Sequence, residues 1–289
     1  MRENDPDGAF VDTLFGPVEA ENERPDYQAL IQEEMPHYLF GDGDDRKQAD
    51  LPLVRVPLYR SKIVSQKDIV RLIPYLDELA LFEKQWGIAK KSESRESWCE
   101  RVKIEAVPIL EKLTQLCREH HLLQPRSLYS YCYCAAEGDT LYLYNEDRKG
   151  VFLEIKMPRL KNGVCPTDRL AERNTGVFDT IAVVAVNMGR NAVELAKSWL
   201  AAGKNMDYAY LHGFALEMLN AMTQYTASVI VAEECCFGDV FSLGYAKQGS
   251  AKIQSALIKM LDASLIDIAF SRNYLMMPEY SSLALVLPR

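Results

Sequence analysis

No apolar run in this 289-residue chain approaches the eighteen or so residues that a membrane-spanning helix needs; the longest cover only 180–186 and 227–232. The first residues, Met1-Arg2-Glu3-Asn4-Asp5, are acidic and lack the basic-then-apolar form of a secretion signal, so a cytoplasmic location is expected. A basic stripe is missing too. With 33 Lys and Arg against 41 Asp and Glu, the net charge is −8 and the pI about 5.2, which argues against nucleic-acid binding. Neither the phosphate-binding pattern G-x-x-x-x-G-K-S/T nor a strand-borne G-x-G-x-x-G occurs, and H-E-x-x-H and G-x-S-x-G are absent. Phosphoryl transfer, Rossmann redox chemistry and zincin hydrolysis therefore start without support. His37, His120, His121 and His212 form no i, i+4 ligand pair. His212 is expected to satisfy backbone groups near the start of a long helix, and spacing assigns no nucleophile–base pair and no catalytic residue.

What remains is ordinary globular composition, 48% hydrophobic and 26% charged, enough for a sizeable core. Seven cysteines are an odd number in a chain expected to stay inside the cell, so reduced thiols are expected. Cys132 and Cys134 would face the same side of a strand, a geometry compatible with a soft metal. No second pair accompanies them, because Cys235 and Cys236 are adjacent and diverge on a helix, and buried structural thiols are the expectation. Charge is unevenly spread: residues 1–50 hold fourteen acidic and four basic side chains, a net of −10, leaving +2 for 51–289. Residues 1–50 read as an acidic extension outside the main core, and 51–289 as the folded domain.

The folded part opens with an extended stretch over 51–58 that Pro52 and Pro57 confine to an edge or connection. Ser65 with Asp68 reads as a capping box opening a helix, which Pro74 kinks or restarts and Gly87 stops. A second helix is expected over 97–120, where Val102, Ala106, Ile109, Leu110, Leu113 and Cys117 share a face. The period then changes to 2. Aromatic-rich strands over 128–134 and 141–144 join through Gly138-Asp139, a third strand covers 151–157, and a fourth, apolar throughout, covers 180–186 and should be central. Tyr129, Tyr131, Tyr133, Tyr142 and Tyr144 read as sheet packing. Helices return at 191–202 and 207–233; a loop over 237–245, a helix over 250–261 and short strands over 266–270 and 281–287 complete the chain. The fold class is α+β: helices around one antiparallel sheet. Within the loop, Gly244-Tyr245 would let backbone amides approach a ligand beside an aromatic ring.

In this order the segments resemble the activation domain of cobalamin-dependent methionine synthase, over roughly residues 52–287. The resemblance rests on Tyr75-Leu76-Asp77 with Leu81-Phe82 and Gln85-Trp86-Gly87, on Leu128-Tyr129 through Gly138-Asp139 and Leu143-Tyr144, and on Pro158-Arg159, Cys165, Asp168, Gly176 and Asp179. It continues with Tyr210-Leu211-His212-Gly213, Glu217 and Tyr225, then Gly244-Tyr245 and Met276-Met277-Pro278. It implies a twisted antiparallel sheet flanked by helices and a domain that binds S-adenosylmethionine. That domain presents the methyl group to cob(II)alamin on a corrinoid protein, with an electron from a flavodoxin-like donor, in methionine biosynthesis. Cobalamin would come only through the partner, since no corrinoid-ligating Asp-x-His-x-x-Gly segment is present. The implied ligand-binding cleft is Asp77, Asn220, Val240, Ser242, Gly244 and Tyr245, with no metal site.

Several positions depart from the family's pattern. Val240 stands where the family has the arginine that grips the ligand carboxylate, Ala246 replaces the proline after the tyrosine, and Asn220 replaces a ligand-facing glutamate. Ser271-Arg272-Asn273 stands in place of Thr-Glu-Ser. Three readings stay open: a stand-alone reactivation module acting in trans, a diverged partner or regulatory subunit of a corrinoid methyltransferase that has lost S-adenosylmethionine, and an unrelated enzyme using the same cleft.

Overall fold

The structure, a computed structural model, describes residues 58–65, 67–159, 163–234, 237–243, 251–271 and 275–288. The acidic extension over 1–50, the extended stretch up to residue 57 and the pair Cys235-Cys236 lie outside them. Nine strands form among the described residues: β1 (Lys62–Val64), β2 (Arg126–Glu137), β3 (Thr140–Tyr144), β4 (Val151–Lys156), β5 (Asp179–Asn187), β6 (Phe237–Ser242), β7 (Ala269–Phe270), β8 (Met276–Met277) and β9 (Ser281–Pro288). The main sheet runs β4-β3-β2-β5-β9-β6, with β1 also on β2; every strand pair is antiparallel, and β7 and β8 form a separate ribbon. Five α-helices surround it: α1 (Arg95–Glu105), α2 (Val107–Glu119), α3 (Asn191–Ala201), α4 (Asn205–Glu233) and α5 (Ala251–Leu261).

Side-chain alternation decides which helix covers which face. From β2, Tyr129 and Tyr131 enter the cluster under α4, while Leu128, Cys132 and Cys134 enter the cluster shared with α5. β5 divides the same way, Ala182, Val184 and Val186 against Ile181, Val183 and Ala185. Both faces of β5 are therefore buried, which is why it is apolar throughout, and it lies between β2 and β9 as expected of a central strand.

β1 and β3 use the same edge of β2, pairing with Ser127–Tyr129 and Cys134–Glu137 and leaving a gap between them. Tyr59 fills it from a left-handed backbone conformation, φ 61°. Its N–H donates to the Tyr131 carbonyl at 2.9 Å, and its hydroxyl accepts from the Tyr133 N–H at 3.2 Å while donating to the Tyr144 carbonyl. Burial pushes this hydroxyl above the ordinary phenol range.

Four local expectations are corrected. Asp68, not Ser65, caps the first turn, its Oδ1 accepting from the Val70 N–H at 3.1 Å, and that turn is a 3-10 helix over Ile69–Tyr75. The restart after Pro74 is as expected, and it takes the form of a π-helical turn over Ala80–Gln85. The helix expected over 97–120 is two helices meeting at the buried Ala106, because Pro108 cannot donate within a continuing helix. The stretch expected as a loop over 237–245 contains the strand β6, held to β9 by pairs such as Val240 with Val286. The strand expected over 266–270 is a 3-10 turn, Ala263–Ile266, followed by the short β7.

Tyr59→Phe removes the hydroxyl that satisfies the Tyr133 N–H and bonds the Tyr144 carbonyl. A loss of about 1–3 kcal/mol is expected in chemical denaturation, with the circular dichroism spectrum retained. A second prediction concerns Glu233, at the end of α4, which accepts from the Tyr129 hydroxyl at 2.5 Å and pairs with Lys62. Burial alone would raise this carboxyl, but the bonds from Lys62 and Tyr129 outweigh it and hold it below the ordinary range. A carboxyl depressed in the folded state contributes stability above its unfolded pKa, about 4.3, and loses it as pH falls through the lower folded value. Glu233→Gln is therefore expected to be less stable than the native chain at pH 7, with the difference shrinking by pH 3, as read by urea denaturation at both pH values.

Candidate functional site

Helix α4 is buried against the sheet along one side and against the segment 69–86 along another, so apolar residues occupy most of its circumference. The two run antiparallel. Near the start of α4, Trp86 Nε1 donates to the Tyr210 carbonyl at 3.1 Å, and the two rings meet edge-on with centroids 5.4 Å apart. Further along, Tyr75 meets Tyr225 edge-on at 5.5 Å and its hydroxyl lies 3.2 Å from Ser228 Oγ. Gly213 permits the close approach at the first contact: a Cβ there would sit 2.7 Å from Gln85 Cβ and 3.2 Å from the Trp86 ring.

Between these two contacts α4 exposes Asn220 and Gln224, and a set of acidic and amide side chains collects at the seam. Glu217 is 5% exposed and accepts from Gln85 Nε2 at 2.8 Å and from Asn220 Nδ2 at 3.0 Å. Asp77 is exposed; its Oδ1 accepts from the Ala80 N–H at 2.9 Å and so caps the π-helical turn. Next to it, Glu78 is half-buried, burial raises its carboxyl above the ordinary range, and no donor among the described residues reaches it. Lys67 lies at the far end, 5.8 Å from the Tyr225 ring centroid. Such a seam offers negative charge and carbonyl acceptors, which suits a cationic or donor-rich ligand.

Of the six residues expected in a cleft, Asp77 and Asn220 flank this seam. Val240 is half-buried on the edge strand β6 and packs against the cluster beneath α4; Ser242 is exposed at the end of the same strand, opposite Ala284. Gly244 and Tyr245 lie outside the described residues. Gln85, Glu78 and the part Glu217 plays escaped the sequence reading of the site. The Glu217–Asn220 spacing of i, i+3 was legible, but their link to Gln85 crosses 132 residues.

Other candidates turn out structural. Cys132 and Cys134 are fully buried on one face, burial pushes the Cys132 thiol up to about 12 and the Cys134 thiol well above its usual range, and no metal-holding group of His, Cys, Asp or Glu occurs among the described residues. His212 Nδ1 lies 3.0 Å from the Tyr280 hydroxyl and its ring stacks on Tyr208, so a side chain rather than backbone satisfies it. Tyr129 and Tyr131 are fully buried, and Tyr142 lies under the Arg173 guanidinium at 4.1 Å. An open hollow of about 520 Å³ along α5, lined by Ala251, Lys252, Ser255, Ala256 and Lys259, includes none of the seam residues. No described helix is long and apolar enough to cross a membrane.

An open antiparallel sheet with one long helix crossing one face and a shorter helix on the other defines an α+β domain. Among solved structures the chain matches the crystal structure of the MetH reactivation domain bound to AdoHcy, with a TM-score of 0.63 and 18% identity, over 85% of this chain and 83% of that one. The methionine synthase of Mycobacterium tuberculosis is 24% identical over 271 residues, covering 83% of this chain and 23% of that protein. The methionine synthase of Mycobacterium leprae is 22% identical over 271 residues, covering 83% and 22%. The chain thus spans less than a quarter of the length of these relatives. No protein-family model matches it.

Gly213→Ala tests the seam. Helix propensity alone would favour alanine by about 1 kcal/mol, but the new methyl must displace Gln85 and the Trp86 ring. A net loss of about 1–3 kcal/mol is expected in denaturant unfolding.

Proposed function

We propose that this chain is a reactivation-type module that binds S-adenosylmethionine and docks on a corrinoid protein to support reductive remethylation of cob(II)alamin. The observation that carries the proposal is the match to the MetH reactivation domain bound to AdoHcy over most of both chains. The seam agrees with it chemically. S-Adenosylmethionine carries a sulfonium and an ammonium; Glu217 brings a carboxylate to two amide side chains, and Asp77 stands exposed at the cap of the turn that carries one of them. In this reading the partner's corrinoid supplies the methyl acceptor and a flavodoxin-like donor the electron. The sulfonium loses its methyl group and leaves as the neutral thioether S-adenosylhomocysteine. This chain binds the methyl donor and orients it toward the docking face.

The other half of the ligand is served less well. Val240 offers its carboxylate no cation, and a lost charged hydrogen bond of that kind costs about 1.5–3 kcal/mol. Val240 therefore favours a second reading, a partner or regulatory subunit of a corrinoid methyltransferase that keeps the docking fold without the methyl donor.

Calorimetric titration with S-adenosylmethionine and S-adenosylhomocysteine separates the two. The first reading expects micromolar binding, and it expects Val240→Arg to tighten that binding about tenfold or more. Absence of heat up to millimolar ligand in both native chain and variant would discard the first reading. A melting-temperature shift on adding a purified corrinoid protein is expected under both.

A further inference from the structure

Glu217 is buried at 5% exposure, and both of its oxygens are held by neutral amides, Gln85 Nε2 at 2.8 Å and Asn220 Nδ2 at 3.0 Å. An ionised carboxylate only accepts, so it fixes the orientation of both amides: each turns its NH2 toward Glu217 and its carbonyl oxygen away. Neither Gln85 Oε1 nor Asn220 Oδ1 finds a donor among the described residues, and Asn220 is exposed where the seam opens. A buried carboxylate thus presents two neutral acceptors in its place.

We propose that Glu217 is the positioning residue that makes this seam selective for a ligand carrying a primary ammonium group. It acts through Gln85 and Asn220, whose carbonyl oxygens accept from the amine while Glu217 itself stays buried. The selectivity does not need a carboxylate in place of Asn220, because the orientation of the amides, rather than a side-chain charge, sets the polarity that the ligand meets. The proposal rests on the S-adenosylmethionine reading and deepens it by naming what recognises the amine end.

The test uses the full chain and two adenosyl thioethers, S-adenosyl-3-thiopropylamine and 5′-methylthioadenosine, of which only the first carries a primary amine. The native chain is expected to bind the amine-bearing compound about tenfold more tightly. In Glu217→Gln one of the two amides must turn its NH2 outward, because the new side chain offers one carbonyl and one NH2. The preference is then expected to fall to about threefold or less, with affinity for 5′-methylthioadenosine unchanged. The double variant Glu217→Gln with Asn220→Asp restores every partner: the introduced amide accepts from Gln85 and donates to the introduced carboxylate, whose second oxygen returns an acceptor to the seam. The preference is expected to recover. A purely structural role would weaken both compounds alike and lower the melting temperature, which overturns the proposal. So would equal binding of the two compounds by the native chain, or no recovery in the double variant. In each of these cases binding of S-adenosylhomocysteine by the native chain would leave the S-adenosylmethionine reading standing. Its absence would remove that reading itself.

Discussion

The burial of α4 on two sides holds the domain together. Its 29 residues extend about 43 Å, crossing β2, β5, β9 and β6 on one side and lying antiparallel to the segment 69–86 on another. A helix in that position is apolar around most of its circumference, and each polar residue it carries inward needs a partner. Thr226 bonds Ser127 at 2.6 Å, Glu233 bonds Tyr129, and Glu217 bonds Gln85. The polar contacts that remain possible at the seam are those this packing leaves open.

Glu217 shows how that constraint creates chemistry. A buried carboxylate without a counter-charge is costly unless hydrogen-bonded. The two amides that satisfy it are neutral, and each turns its carbonyl oxygen away from Glu217. Burial raises the Glu78 carboxyl and so disfavours its charge, while Asp77 spends one oxygen on capping the turn that carries Gln85. One turn of π-helix therefore links the cap, the amide and the packing of Trp86 on α4.

The edge strand β6 follows a different logic. Val240 sits opposite Val286 and packs inward against the cluster under α4, so its side chain continues the core instead of offering charge to a ligand. The fold of the MetH reactivation domain is retained at 18% identity because it depends on alternation and helix burial, which many sequences satisfy. A ligand contact depends on one side chain at one position, and it changes without disturbing the fold.

Period-2 alternation in β2 and β3, the two-sided apolar run of β5 and the long apolar helix α4 were legible in the sequence, because each depends on neighbours a few residues apart. So was the α+β class, whereas Asp77 and Asn220 entered through the family resemblance and not through local pattern. Cap choice and helix breaks were half-legible. Ser65 read as the cap with Asp68 as its capping-box partner, and the geometry of the turn made Asp68 the cap instead; β6 looked like a loop because an edge strand of six residues with Gly238 and Asp239 carries little periodic signal. Tertiary structure alone decided that Gln85 meets Glu217 across 132 residues, that Gly213 lets Trp86 lie against α4, and that Tyr59 closes the gap between β1 and β3. Local sequence sets periodicity and therefore elements. Which distant polar atoms must share a buried volume is set by how those elements pack, and hydrogen bonding then orients the groups that face a ligand.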